Sequence, residues 1–271
     1  MILISAMTDG AVALDRNGME PDFAKRQAMV LESPSRRKHN FTLYGLKNDM
    51  VEDTQELGAT DPQVLRLQRQ FDQKKRFFDE GKHLFGRPWA ASGFCRRTDD
   101  NHRLDWALIE FTMPNRLGSN ITPSANEWPM PNAVPIKLNG QPLKGLGSCD
   151  DPIDRRNVYK KGARTGLTHG RFSSIKDNIC MKSDDERLNL EVSSEYVFIS
   201  RSGHDKPFAW QGDSGSMVFT RLAKFIGLLW GGHVGGVQSA STEIYGTDAA
   251  TLLQHLNAYF HGRYTFELFE G

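Results

Sequence analysis

An all-β barrel or sandwich is the fold class this sequence predicts, on three observations. From Trp89 onward, apolar runs of strand length follow one another. Nearly every gap between them holds Gly, Pro, Asn, Asp or Ser. No amphipathic helices alternate with the runs, as the crossovers of a parallel α/β sheet would require. The runs are 89–94, 105–111, 134–138, 157–161, 172–175, 188–192, 195–200, 216–220 and 225–230.

The flanking segments differ. Residues 27–31 and 41–46 read as two further strands, separated by the turn-forming Ser33-Pro34-Ser35 and the basic Arg36-Arg37-Lys38. Residues 62–80 read as one amphipathic helix. Thr60 or Asp61 caps it, Pro62 suits its first turn, Val64, Leu67, Phe71 and Phe78 share a face, and Gly81 stops it. Its mixed-charge outer face reads as solvated. A closing helix starts at Thr247 or Asp248 and buries Ala249, Leu252, Leu253, Leu256 and Phe260 before Gly262.

Composition excludes several classes. Among 271 residues, 34 Lys and Arg balance 33 Asp and Glu, a net charge of +1 that gives no reason to expect a nucleic-acid or membrane partner. No apolar run approaches the ~20 residues that cross a bilayer. The N-terminal stretch has no basic region before its apolar residues, so it does not read as a secretory signal, and a cytoplasmic or nuclear location is expected. The three widely spaced cysteines, Cys95, Cys149 and Cys180, suggest free thiols and neither a disulfide framework nor a zinc site. Metal-ligand spacing is absent, and no cofactor is expected.

The chemistry concentrates in Gln211-Gly212-Asp213-Ser214-Gly215-Ser216. A serine hydroxyl is a weak nucleophile until a base takes its proton and nearby N–H groups stabilise the oxyanion that forms. Glycines on both sides let the chain turn tightly, aim two N–H groups the same way and leave room for a substrate carbonyl. An ordinary inter-strand turn has the same composition.

Here the sequence resembles the chymotrypsin-like (trypsin-like) serine peptidases, whose nucleophile lies in GDSGG or GDSGS. Leu104-Asp105-Trp106-Ala107-Leu108-Ile109 looks like the DxAL strand carrying that family's triad aspartate. Residues 161–170, KGARTGLTHG, are similar to a KxGxxTGxTxG turn opening the second barrel in a largely fungal branch. Residues 227–232 look like the strand beside the specificity pocket. The resemblance, good over 89–260, implies a chymotrypsin-like double β-barrel with an incomplete first barrel, a helical insertion at 62–80 and a C-terminal helix. It divides the chain into a first part, 1–150, and a second barrel with its helix, 151–271.

By the same resemblance the protein is a serine endopeptidase acting on a peptide or protein substrate. Ser214 would attack the peptide carbonyl, Asp105 would orient a histidine, and the Gly212 and Ser214 N–H groups would form the oxyanion hole. Phe208, Leu229, Trp230 and Gly231 would bind substrate. Phe208, with flanking Lys206 and Trp210, brings no acidic group, so a preference for Arg or Lys is not expected.

The triad histidine is where the pattern breaks. No TAxHV-like segment precedes Asp105, and His39, His83 and His102 lack the right context. Two readings account for this: an inactive, peptide-binding relative, or a chain whose Met1 is an internal start, the histidine and the missing first-barrel strands having been lost as one block. The second reading expects an exposed sheet edge that aggregates or recruits a partner chain to complete the first barrel.

Overall fold

The computed structural model describes residues 18–21, 28–93, 96–113, 118–128, 138–150, 157–173, 175–181, 191–200, 207–233 and 243–268. Its regular elements, in chain order, are β1 (Leu31–Glu32), α1 (Arg36–Leu57), α2 (Pro62–Asp79), β2 (Leu84–Ala91), β3 (Ala107–Phe111), β4 (Val158–Gly162), β5 (Gly166–Phe172), β6 (Asp177–Met181), β7 (Glu191–Ser200), β8 (Met217–Thr220), β9 (Phe225–His233), β10 (Glu243–Asp248) and α3 (Ala249–Tyr259). The expected strands at 134–138 and 188–192 lie largely outside the described residues. The protein is mostly β. Two compact units divide it: 1–21, 89–108 and 118–271 in one, 22–88 and 109–117 in the other. They interleave along the chain, whereas the sequence suggested one boundary near residue 150.

The larger unit is built on a barrel. Strands run in the order β10-β9-β8-β4-β5-β7-β6, and β10 also pairs with β7, so six of the seven close into a ring with β6 added outside β7. Each of these pairings is antiparallel among the described residues. Strand alternation sorts the side chains. Val158, Phe172, Phe198, Val218, Ile226, Leu229 and Ile244 share one buried cluster, while their neighbours Tyr159, Phe219, Phe225 and Leu228 join a second one with α3. Glycine is required where the rings crowd the backbone. A Cβ on Gly170 would stand 2.7 Å from the Phe208 ring, and one on Gly246 would stand 2.7 Å from that of Phe198.

Helix α3 closes this unit as the sequence suggests. The Asp248 carboxylate accepts from the Thr251 N–H at 2.9 Å, and Leu252 and Leu256 are fully buried. Trp106 packs against Tyr259 and Phe260, while His255 stacks on Tyr259 with its Nε2 buried. Burial, reinforced by Arg96 and opposed by Asp99, holds the His255 imidazole below its usual range. The unfolded chain takes up this proton near pH ~6.5 and the folded chain resists it, so stability from this group is lost as pH falls below that point. His255→Leu is expected to shrink the drop in melting temperature between pH 7.5 and 5.5; an unchanged drop would show that other groups control acid lability.

The smaller unit is where the sequence misleads. Residues 41–46, expected as a strand, lie in the middle of α1. Aromatic and β-branched neighbours suggested a strand locally, but His39, Leu43, Leu46 and Met50 recur at helical spacing, and that longer pattern decides. Ser35 caps α1, its hydroxyl accepting from the Lys38 N–H at 3.4 Å. The chain turns at Gly58, whose φ of 89° suits glycine, and restarts at Asp61, whose carboxylate accepts from the Gln63 N–H at 2.7 Å. The Phe78 ring of α2 is sandwiched by His39 at 3.6 Å and His83 at 3.9 Å between centroids. A short sheet, β1-β2-β3, stands where the sequence expected an incomplete first barrel.

Candidate active site

The loop before β8 is fixed by its own backbone. Asp213 N–H donates to the Trp210 carbonyl at 2.9 Å, Gly215 N–H to Leu229 at 2.7 Å, and Ser216 N–H to Asp213 at 3.0 Å. Gly212 and Gly215 hold φ values of 97° and 82°, a region that disfavours side chains. The N–H groups of Gly212 and Ser214 are thereby left without a protein acceptor among the described residues. Both residues line the two cavities on either side of the loop. Ser214 is exposed, and its hydroxyl donates to the Trp230 carbonyl at 3.2 Å.

Beneath the loop lies a buried ion pair. The Asp213 carboxylate is 1% exposed and Lys160 is 0% exposed; the Lys160 Nζ stands 2.9 Å from Oδ2. Four more donors converge on that carboxylate: Arg164 N–H at 2.7 Å, Thr165 N–H at 3.2 Å, Thr165 Oγ1 at 2.7 Å and Trp210 N–H at 3.0 Å. Burial works to raise the carboxyl, but the bonds from Thr165, Lys160, Arg164 and Trp210 outweigh it and hold it below its ordinary value. Burial also pushes Lys160 down, against the pull of Asp213. The carboxylate's direction governs the pair, because five hydrogen bonds favour its charged form.

This arrangement ties two sequence motifs together. The turn at 163–165 between β4 and β5 donates to the carboxylate of the Gly-Asp-Ser-Gly loop, so each motif fixes the other. Gly162 makes room, since a Cβ there would fall 2.3 Å from Asp213 Oδ1. Lys160 was missed from the sequence. Its signal was the strand period, which puts it on the same inward face as Val158. Asp213 thus bonds nearby backbone, the Trp210 N–H, and holds Lys160 as well.

The residues expected to contact substrate separate into two groups. Leu229 and Gly231 line a cavity of about 330 Å³ together with Ala209, Trp210, Gly232 and Ile244. Phe208 does not line it. Its ring is fully buried in the barrel cluster, and its carbonyl accepts from Thr168 Oγ1 at 2.5 Å. The resemblance points to the right segment, since Ala209 and Trp210 line the cavity, but not to which neighbour turns outward. Trp230 offers its carbonyl to Ser214, while its ring packs with Val197 and Tyr245 under the Arg103 guanidinium. A second cavity of about 440 Å³ runs along the other side, past Asn120, Ile121, Lys161 and Met217. Lys161 is paired there with Glu127.

Asp105 sits in the segment just before β3, between the buried Leu104 and Trp106. No histidine lines either cavity among the described residues. His39 and His83 clasp Phe78. His102 stacks on Tyr196 with Nε2 2.9 Å from Lys176 Nζ, and His169 stacks on Tyr159 with Nε2 3.1 Å from Asn157 Oδ1. His204 and the His233 side chain lie outside the described residues. No cluster of metal-ligating side chains occurs among those described.

No protein-family profile and no curated protein sequence matches the chain. Solved structures similar to it include three proteases. A Nocardiopsis protease is 19% identical, covering 64% of this chain and 72% of its own, with a TM-score of 0.39. Thermobifida fusca protease A is 13% identical, covering 64% and 73%, with a TM-score of 0.38. A Cellulomonas bogoriensis chymotrypsin is 12% identical, covering 64% and 76%, with a TM-score of 0.36.

Proposed function

We propose that this chain carries a serine-peptidase-type site that binds an extended peptide, seating one of its carbonyls on the Gly212 and Ser214 N–H groups, with the Ser214 hydroxyl in place but not activated. One observation carries the reading: those two N–H groups stand open between two cavities while the Ser214 proton is directed at the Trp230 carbonyl. A carbonyl oxygen accepts a hydrogen bond but does not take the proton, so the hydroxyl keeps it and attacks poorly. Among the described residues, the 330 Å³ cavity offers Ala209, Leu229 and Ile244 and no charge other than Asp213, whose carboxylate is already engaged. An apolar side chain of the ligand suits that wall better than a basic one.

A second reading, an endopeptidase that hydrolyses through an acyl-enzyme on Ser214, is favoured by the intact pair of N–H donors, which serve an oxyanion. It requires a base from outside the described residues, with Asp105 its orienting partner. A fluorophosphonate probe and a non-covalent peptide amide ending in leucine separate the two. Peptide binding without phosphonylation of Ser214 is expected. Phosphonylation abolished by Ser214→Ala, together with cleavage of a peptide, establishes the endopeptidase, and a folded protein that neither binds the peptide nor reacts with the probe sinks both.

A further inference from the structure

We propose that α1 is the interface of an antiparallel homodimer, its outward stripe Phe41, Tyr44, Asn48, Val51 and Gln55 packing against the same stripe of a second copy of this chain. The stripe follows a 3-4-3-4 spacing, the seam of two helices packed side by side. It lies on the face opposite His39, Leu43, Leu46 and Met50, which point inward. Its large members stand in solvent: Phe41 is 78% exposed, Tyr44 66% and Val51 50%. A helix of 22 residues is about 33 Å long, so the seam runs for several turns.

Charge selects the occupant. A lone helix is stabilised by acidic residues in its first turn and basic ones in its last. Helix α1 has neither. Its order is reversed: Arg36, Arg37 and Lys38 start it, and Asp49, Glu52, Asp53 and Glu56 fill its second half. This pattern opposes the helix dipole within one chain but is complementary to a second copy running the other way. Lys38 and Glu56 lie on the same flank of the stripe, so the antiparallel pairing brings Lys38 of each copy to Glu56 of the other. Parallel copies would set like charges together. An anionic membrane would repel the acidic half, and a nucleic acid would as well. Asn48 stands at the midpoint of the seam, where a two-fold axis would set it against itself, and a polar residue that meets its own copy in such a seam helps fix register.

Sedimentation of the full chain tests this. The wild type is expected at twice its 30.6 kDa mass in the micromolar range. Val51→Lys, at an exposed position, is expected to give a monomer of unchanged helicity. Lys38→Glu and Glu56→Lys should each weaken the dimer about tenfold, the two symmetric pairs acting together, and the two combined in one chain should restore it. With Cys95→Ser and Cys180→Ser as background, Asn48→Cys should oxidise to a disulfide-linked dimer and Phe41→Cys should not. A wild type that stays monomeric at about 100 μM, a combined variant no tighter than the single ones, or equal cross-linking at 41 and 48 would overturn the proposal; 100 μM lies well above the dissociation constants of stable dimers.

Discussion

Asp213→Ala is expected to cost about 3–5 kcal/mol of unfolding free energy, because it strands the fully buried Lys160 ammonium and frees four other donors at once. Urea denaturation at pH 7 would measure it, and a loss under about 1 kcal/mol would mean that water reaches the pair. The stranded lysine supplies an internal check. Deprotonation relieves an unpaired buried cation, so the gap between variant and wild type should narrow as pH rises. On the acid side, the wild-type carboxylate, held below its ordinary value, contributes stability that is present above pH ~3.9 and lost as pH falls through its folded pKa. Lys160→Met should cost less than Asp213→Ala, since four of the five bonds to the carboxylate remain.

Phe208→Ala carries the second large effect, about 3–5 kcal/mol, from the cavity it opens among Phe172, Phe198 and Ile226. Binding of a non-covalent apolar peptide should survive in whatever fraction stays folded, because the ring does not line the 330 Å³ cavity. Trp210→Ala is the contrast. Its side chain is 42% exposed and lines that cavity, so ligand affinity should fall while stability changes by no more than about 0.5 kcal/mol. If Phe208→Ala altered ligand preference and left stability untouched, the segment 207–210 would have to turn the other way.

The contrast between Phe208 and Trp210 shows how much of the site was legible in the sequence. The Gly-Asp-Ser-Gly loop stood out because its glycines meet a backbone need that is local. The depth of a side chain in a barrel depends on which strands surround it, and a count along one segment does not contain that. Lys160 escaped notice because a lysine in a strand reads as solvent-facing, and its partner lies 53 residues away. The strands β4, β8 and β9 and the capped helices α2 and α3 were readable from alternation and capping, whereas β7 (Glu191–Ser200) was read as two runs, 188–192 and 195–200. Strand β10 was not, since Gly246 and the cap-like Thr247 and Asp248 obscure its period. Helix α1 was hidden by Phe41, Thr42 and Tyr44, whose strand preference is a property of single residues, whereas the helical repeat extends across 22.

The pairing of β10 with β7 also governs how the barrel comes apart. Each of the six strands is laddered on both sides, so none can peel away without breaking two rows of hydrogen bonds. Fraying, the cheapest route by which sheets admit solvent, is closed to them, and amide hydrogens across the ring should exchange together, at the rate of a single cooperative opening. Strand β6 is laddered to β7 alone, and its outer amides are the ones free to exchange early. Because residues 196–199 must find residues 243–246 before the ring can close, the barrel's assembly waits on a contact far apart in the chain, while α1 and α2, joined by a four-residue turn, need no such wait.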